Sequence, residues 1–172
     1  MTNWLKLAVL VVAAVVVTQL LVRRSDRILP PQGAAAPQLV LPDLEGRARD
    51  LSSLKGKVVA VNFWATWCPP CRRELPGLAA FYRSHQGRCF EMLGVAEESG
   101  RADVLAAARS IPYPILFDAD AGALEPWGIQ GYPATFVLDP EGHVRQVFRG
   151  EVEPAQLAEA VAPLLPGTCP RS

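Results

Sequence analysis

The most constraining feature is a short block in the middle of the chain, where an unbroken buried-type strand runs directly into two closely spaced cysteines. Val58 to Trp64 is apolar and β-branched except at Asn62, the pattern of a strand covered on both faces. Trp67-Cys68-Pro69-Pro70-Cys71 follows, and Cys71, Leu75, Leu78 and Tyr82 then recur at helical spacing. Pro69 and Pro70 fit a first helical turn, where a missing N–H leaves no bond unmade. Two cysteines at a strand-to-helix junction can close a small disulfide. Reduced, the first sulfur lies at a helix N-terminus, where free N–H groups and the helix dipole favour thiolate over thiol. Cys68 then reads as the nucleophile and Cys71 as the resolving thiol. A zinc half-site and an inert structural disulfide remain alternatives. Zinc needs four ligands, and Cys89, Cys169, His85 and His143 are scattered.

The flanking segments read as alternating strands and helices. A hairpin is expected over residues 38–51, a second strand over Cys89–Ala96 and an Ala-rich helix over Ala102–Ile111. Tyr113–Phe117 is a further extended segment. A short helical stretch at Ala121–Trp127 precedes a hairpin formed by Ala134–Leu138 and His143–Phe148. The last helix starts at Pro154, with Leu157, Val161 and Leu164 on one face. Strand, helix, strand implies a parallel pair. At 172 residues a single folded domain of ordinary size is expected.

The N-terminus has a different character. Leu7 to Val22 is sixteen residues without charge, close to the lower limit for crossing a bilayer. Arg23-Arg24 follow directly, without a nearby small-x-small cleavage site, so residues 1–24 read as an uncleaved membrane anchor, with a cleaved signal peptide as the alternative. Residues 25–36 form a Pro- and Ala-containing linker, 37–166 the folded domain and 167–172 a tail. Lys6, Arg23, Arg24 and Arg27 against Asp26 give the first 36 residues a net +3, which leaves −3 on the remainder. An acidic domain is a poor nucleic-acid binder. The basic flank downstream of the apolar run outweighs Lys6, and by itself would place the domain in the cytoplasm.

VNFWATWCPPCRRELP, with GYPATFVLD some sixty residues on, resembles the membrane-tethered thioredoxin-like thiol–disulfide oxidoreductases of the TlpA/ResA/CcmG (DsbE) group. The resemblance spans about residues 36–165 and also takes in Ala36-Pro37 and Leu54-Lys55-Gly56-Lys57. It implies an α/β thioredoxin fold: a central mixed β-sheet flanked by helices, with an N-terminal hairpin extension, behind one transmembrane helix. It also implies an exposed, attacking Cys68, a recessed Cys71, and Pro133 as a cis-proline facing the disulfide. Two departures stand out. Thioredoxins carry a buried Asp where this chain has Asn62, and CcmG-like proteins carry Glu where this chain has Ala134.

An acid is available elsewhere. Glu74, three residues after Cys71, projects from nearly the same helix face, and ResA-like proteins line the active-site cavity with a Glu there. A desolvated carboxyl suits proton transfer with Cys71; a solvated Glu favoured by the helix dipole is the plainer alternative. Trp67, Pro69, Pro70 and Tyr132 are expected to meet a substrate. Trp64 is expected in the core, and Glu97 and Glu98 in a solvated loop. In a thioredoxin fold Cys89 and Cys169 both fall at the pole opposite the active site, so they are expected to pair as a structural disulfide.

These readings converge on a disulfide reductase that needs no cofactor and works as a monomer. Its partners are disulfide-containing client proteins, an upstream dithiol electron donor and the membrane. The domain is placed outside the bacterial inner membrane, against the charge bias, because a tethered reductase belongs where clients become oxidised. A thiol oxidase or isomerase, a thiol peroxidase and a cysteine-based metal-binding module are the competing classes.

Overall fold

The computed structural model describes residues 10–14 and 30–169. Residues 10–14 are helical. Among the described residues no helix is long and apolar enough to cross a membrane; the expected anchor over 1–24 lies almost wholly outside them, as do residues 25–29 of the linker.

Two strands, β1 (Val40–Pro42) and β2 (Ala48–Asp50), form the expected antiparallel hairpin. Asp43 ties its turn by accepting from the side chains of Arg47 and Arg49 at 2.9 Å each. The main sheet contains β3 (Val58–Trp64), β4 (Phe90–Glu97), β5 (Ile115–Asp118), β6 (Ala134–Leu138) and β7 (Val144–Arg149). Its order is β5-β4-β3-β6-β7. β3 pairs parallel with β4 and antiparallel with β6, so the sheet is mixed. The helices are α1 (Pro69–His85), α2 (Arg101–Ala108), α3 (Leu124–Trp127) and α4 (Pro154–Val161). This is the thioredoxin fold with its N-terminal hairpin.

β3 is buried at all seven positions, and its period of two divides them between two cores. Val58, Ala60 and Trp64 join the cluster holding Leu75 and Leu78 of α1 and Leu157 and Val161 of α4. Val59, Val61 and Phe63 join the opposite cluster, where Trp127 lies 5.2 Å from Phe63 and 5.0 Å from Phe136 between ring centroids. Asn62 shares the parity of the first set, which directs it towards α1.

Several boundaries differ from expectation for local reasons. β4 begins at Phe90, because Cys89 has φ +60°, outside the extended region. β4 also runs one residue further, through Glu97, and the extended backbone breaks at Glu98, whose φ is +44°. α2 stops at Ala108 and the chain leaves through turns at Ser110 and Ile111; Pro112 disfavours helical backbone at the residue before it.

Candidate active site at the start of helix α1

Cys68 is the N-cap of α1, with φ −86° and ψ 109°. Pro69 and Pro70 occupy the first two helical positions, and Cys71 the third. An N-cap side chain ordinarily accepts from the N–H of the second or third helical residue. Here the second is Pro70, which has none, and only the Cys71 N–H reaches the Cys68 sulfur, at 3.2 Å. The two sulfurs are bonded, with their Cα atoms 5.3 Å apart.

Accessibility departs from expectation. Cys68 is only 3% exposed in this disulfide state and Cys71 is fully buried. Cys68 lines a groove of about 500 Å³ together with Trp67, Pro69, Pro70 and Tyr132. Trp67 itself is 59% exposed. Its indole N–H donates to the Glu98 carbonyl at 2.8 Å, and its ring meets Tyr132 edge-on at 5.8 Å. The Tyr132 hydroxyl donates to Glu98 Oε2 at 3.2 Å. The peptide bond between Tyr132 and Pro133 is cis.

Behind the disulfide lies a buried polar group. Glu74 is 4% exposed, although it sits one turn into a helix that starts at the surface. Its Oε1 accepts from the Asn62 amide at 2.8 Å, and its Oε2 from the Val152 N–H at 2.9 Å. The same Asn62 amide donates to Thr135 Oγ1 at 2.9 Å. Burial pushes the Glu74 carboxyl up to about 7, despite the opposing pull of Val152 and Asn62. Asn62 therefore holds an acid in place without being one. The residue exchange between strand and helix keeps a titratable group under the cysteines.

Glu97 corrects the expectation of a solvated loop: it is completely buried at the end of β4. Asp118 stands directly opposite it on β5, and Asp118 Oδ2 accepts from the Ala123 N–H, just before α3. Burial first and then the Asp118 charge push Glu97 up to about 8, so near neutrality it keeps its proton beside Asp118. Glu98, expected in the same loop, is exposed but engaged by Trp67 and Tyr132. A signal for Glu97 was present in the sequence: no turn former appears until Ser99-Gly100, so the strand had room to continue.

Cys89 and Cys169 are also bonded, with Cα atoms 5.2 Å apart. Cys89 precedes β4 at the end opposite Glu97, so this bridge lies roughly 25 Å along the strand from the active-site end. The histidines have other partners: His85 stacks on Phe81 at 4.0 Å, and His143 lies 3.5 Å from Asp139. Among the described residues no group of three or more His, Cys, Asp or Glu side chains is arranged to hold a metal ion.

The sequence matches the AhpC/TSA family over residues 32–147. It is 33% identical over 138 residues to the thiol-disulfide oxidoreductase ResA of Bacillus subtilis (strain 168), covering 79% of this chain and 77% of that protein. The ResA of Geobacillus thermodenitrificans (strain NG80-2) is 33% identical over 136 residues, covering 78% of each. Among solved structures, a thiol:disulfide interchange protein of the thioredoxin family from Chlorobium tepidum TLS superposes with a TM-score of 0.71 at 30% identity, over 79% of this chain and 99% of that one. StoA from Bacillus subtilis superposes with a TM-score of 0.63 at 26% identity, over 73% and 98% respectively.

Proposed function

We propose a direction and a place for the chemistry of this chain, which belongs to the AhpC/TSA family and is a thiol–disulfide oxidoreductase of the ResA type: it reduces disulfides in client proteins outside the bacterial inner membrane. Cys68, as thiolate, attacks a client sulfur and displaces the other as a thiolate, which takes a proton from water, and a mixed disulfide forms. Cys71 loses its proton and attacks the Cys68 sulfur, which releases the reduced client and leaves Cys68–Cys71 oxidised. An upstream dithiol donor then restores the reduced pair. Trp67, Pro69, Pro70 and Tyr132 form the surface that meets the client, with Pro133 shaping the loop opposite, and Glu74 exchanges the proton with Cys71.

The observation that carries the reducing direction is the hydrogen bonding at Cys68. Its sulfur receives the Cys71 N–H, and the position before Cys71 has no N–H to give. A thiolate with fewer donors is less stabilised, so the reduced state is less favoured and the couple more reducing. The apolar run Leu7–Val22 supports a tether that keeps the domain at the membrane. A second disulfide at the far pole supports an oxidising compartment, against the basic flank of the apolar run. Client classes that fit are apocytochromes c before haem attachment and copper-site assembly proteins. The peroxidase alternative has less support, since Cys68 is already bonded to a partner three residues away.

The test is a redox titration of the full chain with thiols trapped and mapped at each poise. Cys68–Cys71 should titrate below about −200 mV while Cys89–Cys169 stays oxidised. A midpoint near the roughly −120 mV of a strong oxidant would make the protein an oxidase of client thiols.

A further inference from the structure

Two cavities meet along the segment Ile129–Tyr132. The first, about 500 Å³, has Cys68 in its wall. The second, about 280 Å³, continues past Pro133 to the end of β7. Both are lined by the same four residues, 129–132, so a track that follows this shared wall past the Tyr132–Pro133 loop passes both.

The two ends carry opposite charge. Among the described residues, Glu98 is the one charged residue lining the Cys68 end, and Arg149 the one lining the far end. Both side chains are exposed. Glu98 is steadied from two sides, since its carbonyl accepts from Trp67 and its carboxylate from Tyr132. The Tyr132 hydroxyl therefore holds the carboxylate beside the groove, where it can meet a cation. The buried Glu97–Asp118 pair adds a further acidic group behind this end. Arg149 makes no ion pair among the described residues, whereas Arg73 is paired with Glu151 at 2.8 Å. An acid beside the reactive sulfur and an unpaired base across the loop form a polarised surface, and charge complementarity is what such a surface selects.

We infer that this track reads the charge order of an extended client segment, taking a Lys or Arg side chain next to the client cysteine against Glu98 and an Asp or Glu side chain farther along against Arg149. The inference rests on the reading of the clients as cysteine-bearing polypeptides, and holds whichever way the electrons flow. Glu98 and Arg149 are specificity residues in this scheme, and the sulfur chemistry stays with Cys68.

The test uses the full chain carrying Cys71→Ser, which holds a client at the mixed-disulfide stage. The probes are single-cysteine peptides of identical composition, each presented as its mixed disulfide with glutathione. One set has Lys beside the cysteine and Asp four residues away; the other has Asp beside it and Lys four residues away; each is made in both chain directions. The Cys68 thiolate attacks the peptide sulfur, the Cys68–peptide bond forms, the peptide–glutathione bond breaks and glutathione leaves as thiolate, with no net oxidation. The Lys-near order should give roughly tenfold more Cys68–peptide adduct at equilibrium than the Asp-near order in at least one chain direction, as expected of two favourable surface contacts replaced by two unfavourable ones. Added salt should shrink the difference. The double variant Glu98→Lys, Arg149→Glu should invert the order, a result that loss of folding cannot mimic. Adduct levels equal within twofold for all the peptides, or a preference that survives the charge swap unchanged, would overturn the inference. The equilibrium is independent of the Cys68–Cys71 potential, so a failed reductase reading shows in the titration of the unmodified chain and not here.

Discussion

At the scale of single residues, Pro70 and Glu74 set how the two sulfurs behave. Pro70 stands where an N-cap side chain would find its second donor. Pro70→Ala supplies that N–H, so the Cys68 thiolate gains a charge-assisted hydrogen bond of about 1.4 kcal/mol, which corresponds to about 30 mV. The midpoint should become less reducing by about that amount, and the Cys68 pKa should fall; thiol trapping and thiolate absorbance read the two. Glu74, with its carboxyl near 7, is an acid below that pH and a base above it. Deprotonation of Cys71 should therefore accelerate as pH rises through about 7. Glu74→Gln should flatten that limb and slow client release from Cys68 by about tenfold or more at pH 8, in single-turnover experiments. A full pH limb in the variant would assign the proton to another group. The placement of Glu74 was legible in the sequence, because three residues along a helix return to the same face as Cys71. The surroundings of Cys68 were not, because its groove is completed by Tyr132, far along the chain and brought near only by the sheet.

At the scale of elements, the strand and helix periods were enough to find β3, β6 and the start of α1, where pattern and burial agree at nearly every position. The last turn of β4 was harder to read. Its final residue is an acid, and an acid at a strand end looks solvated until the neighbouring strand is known; the partner is β5, which sets Asp118 against Glu97. This pairing makes β4–β5 sensitive to base. The Glu97 carboxyl is raised from about 4.5 to about 8, so the folded chain keeps a proton that the unfolded chain releases. The associated stability is fully present below about 4.5 and is lost as pH rises through about 8. Glu97→Gln cannot ionise and should escape this loss. Its Tm relative to the parent chain should rise by about 3 °C or more on going from pH 6 to pH 9 by calorimetry. A constant difference across that range would show that Glu97 does not titrate within it.

At the scale of the whole molecule, the two disulfides sit at opposite ends of β4 and do different work. Cys68–Cys71 closes a loop too short to restrain the unfolded chain much, and it lies at the reactive pole. Cys89–Cys169 spans 80 residues, from the start of β4 to the segment beyond α4. A bridge over so long a span removes much of the freedom of the unfolded chain, worth about 2–4 kcal/mol. The sequence alone placed this pair only through the fold, since neither cysteine has a close neighbour to betray a partner. The bridged span begins after Cys68 and Cys71 and contains Tyr132–Pro133, so the two sides of the client groove come from inside and outside it. Rigidity at the groove must then come from β3 pairing with both β4 and β6, and not from the bridge. Replacing both Cys89 and Cys169 by Ser should accordingly lower Tm by several degrees while leaving the Cys68–Cys71 midpoint within about 10 mV, a change of about half a kcal/mol at most in exchange energy. A larger movement of the midpoint would mean that the far pole holds the groove in shape, and that oxidation at one end of β4 is felt at the other.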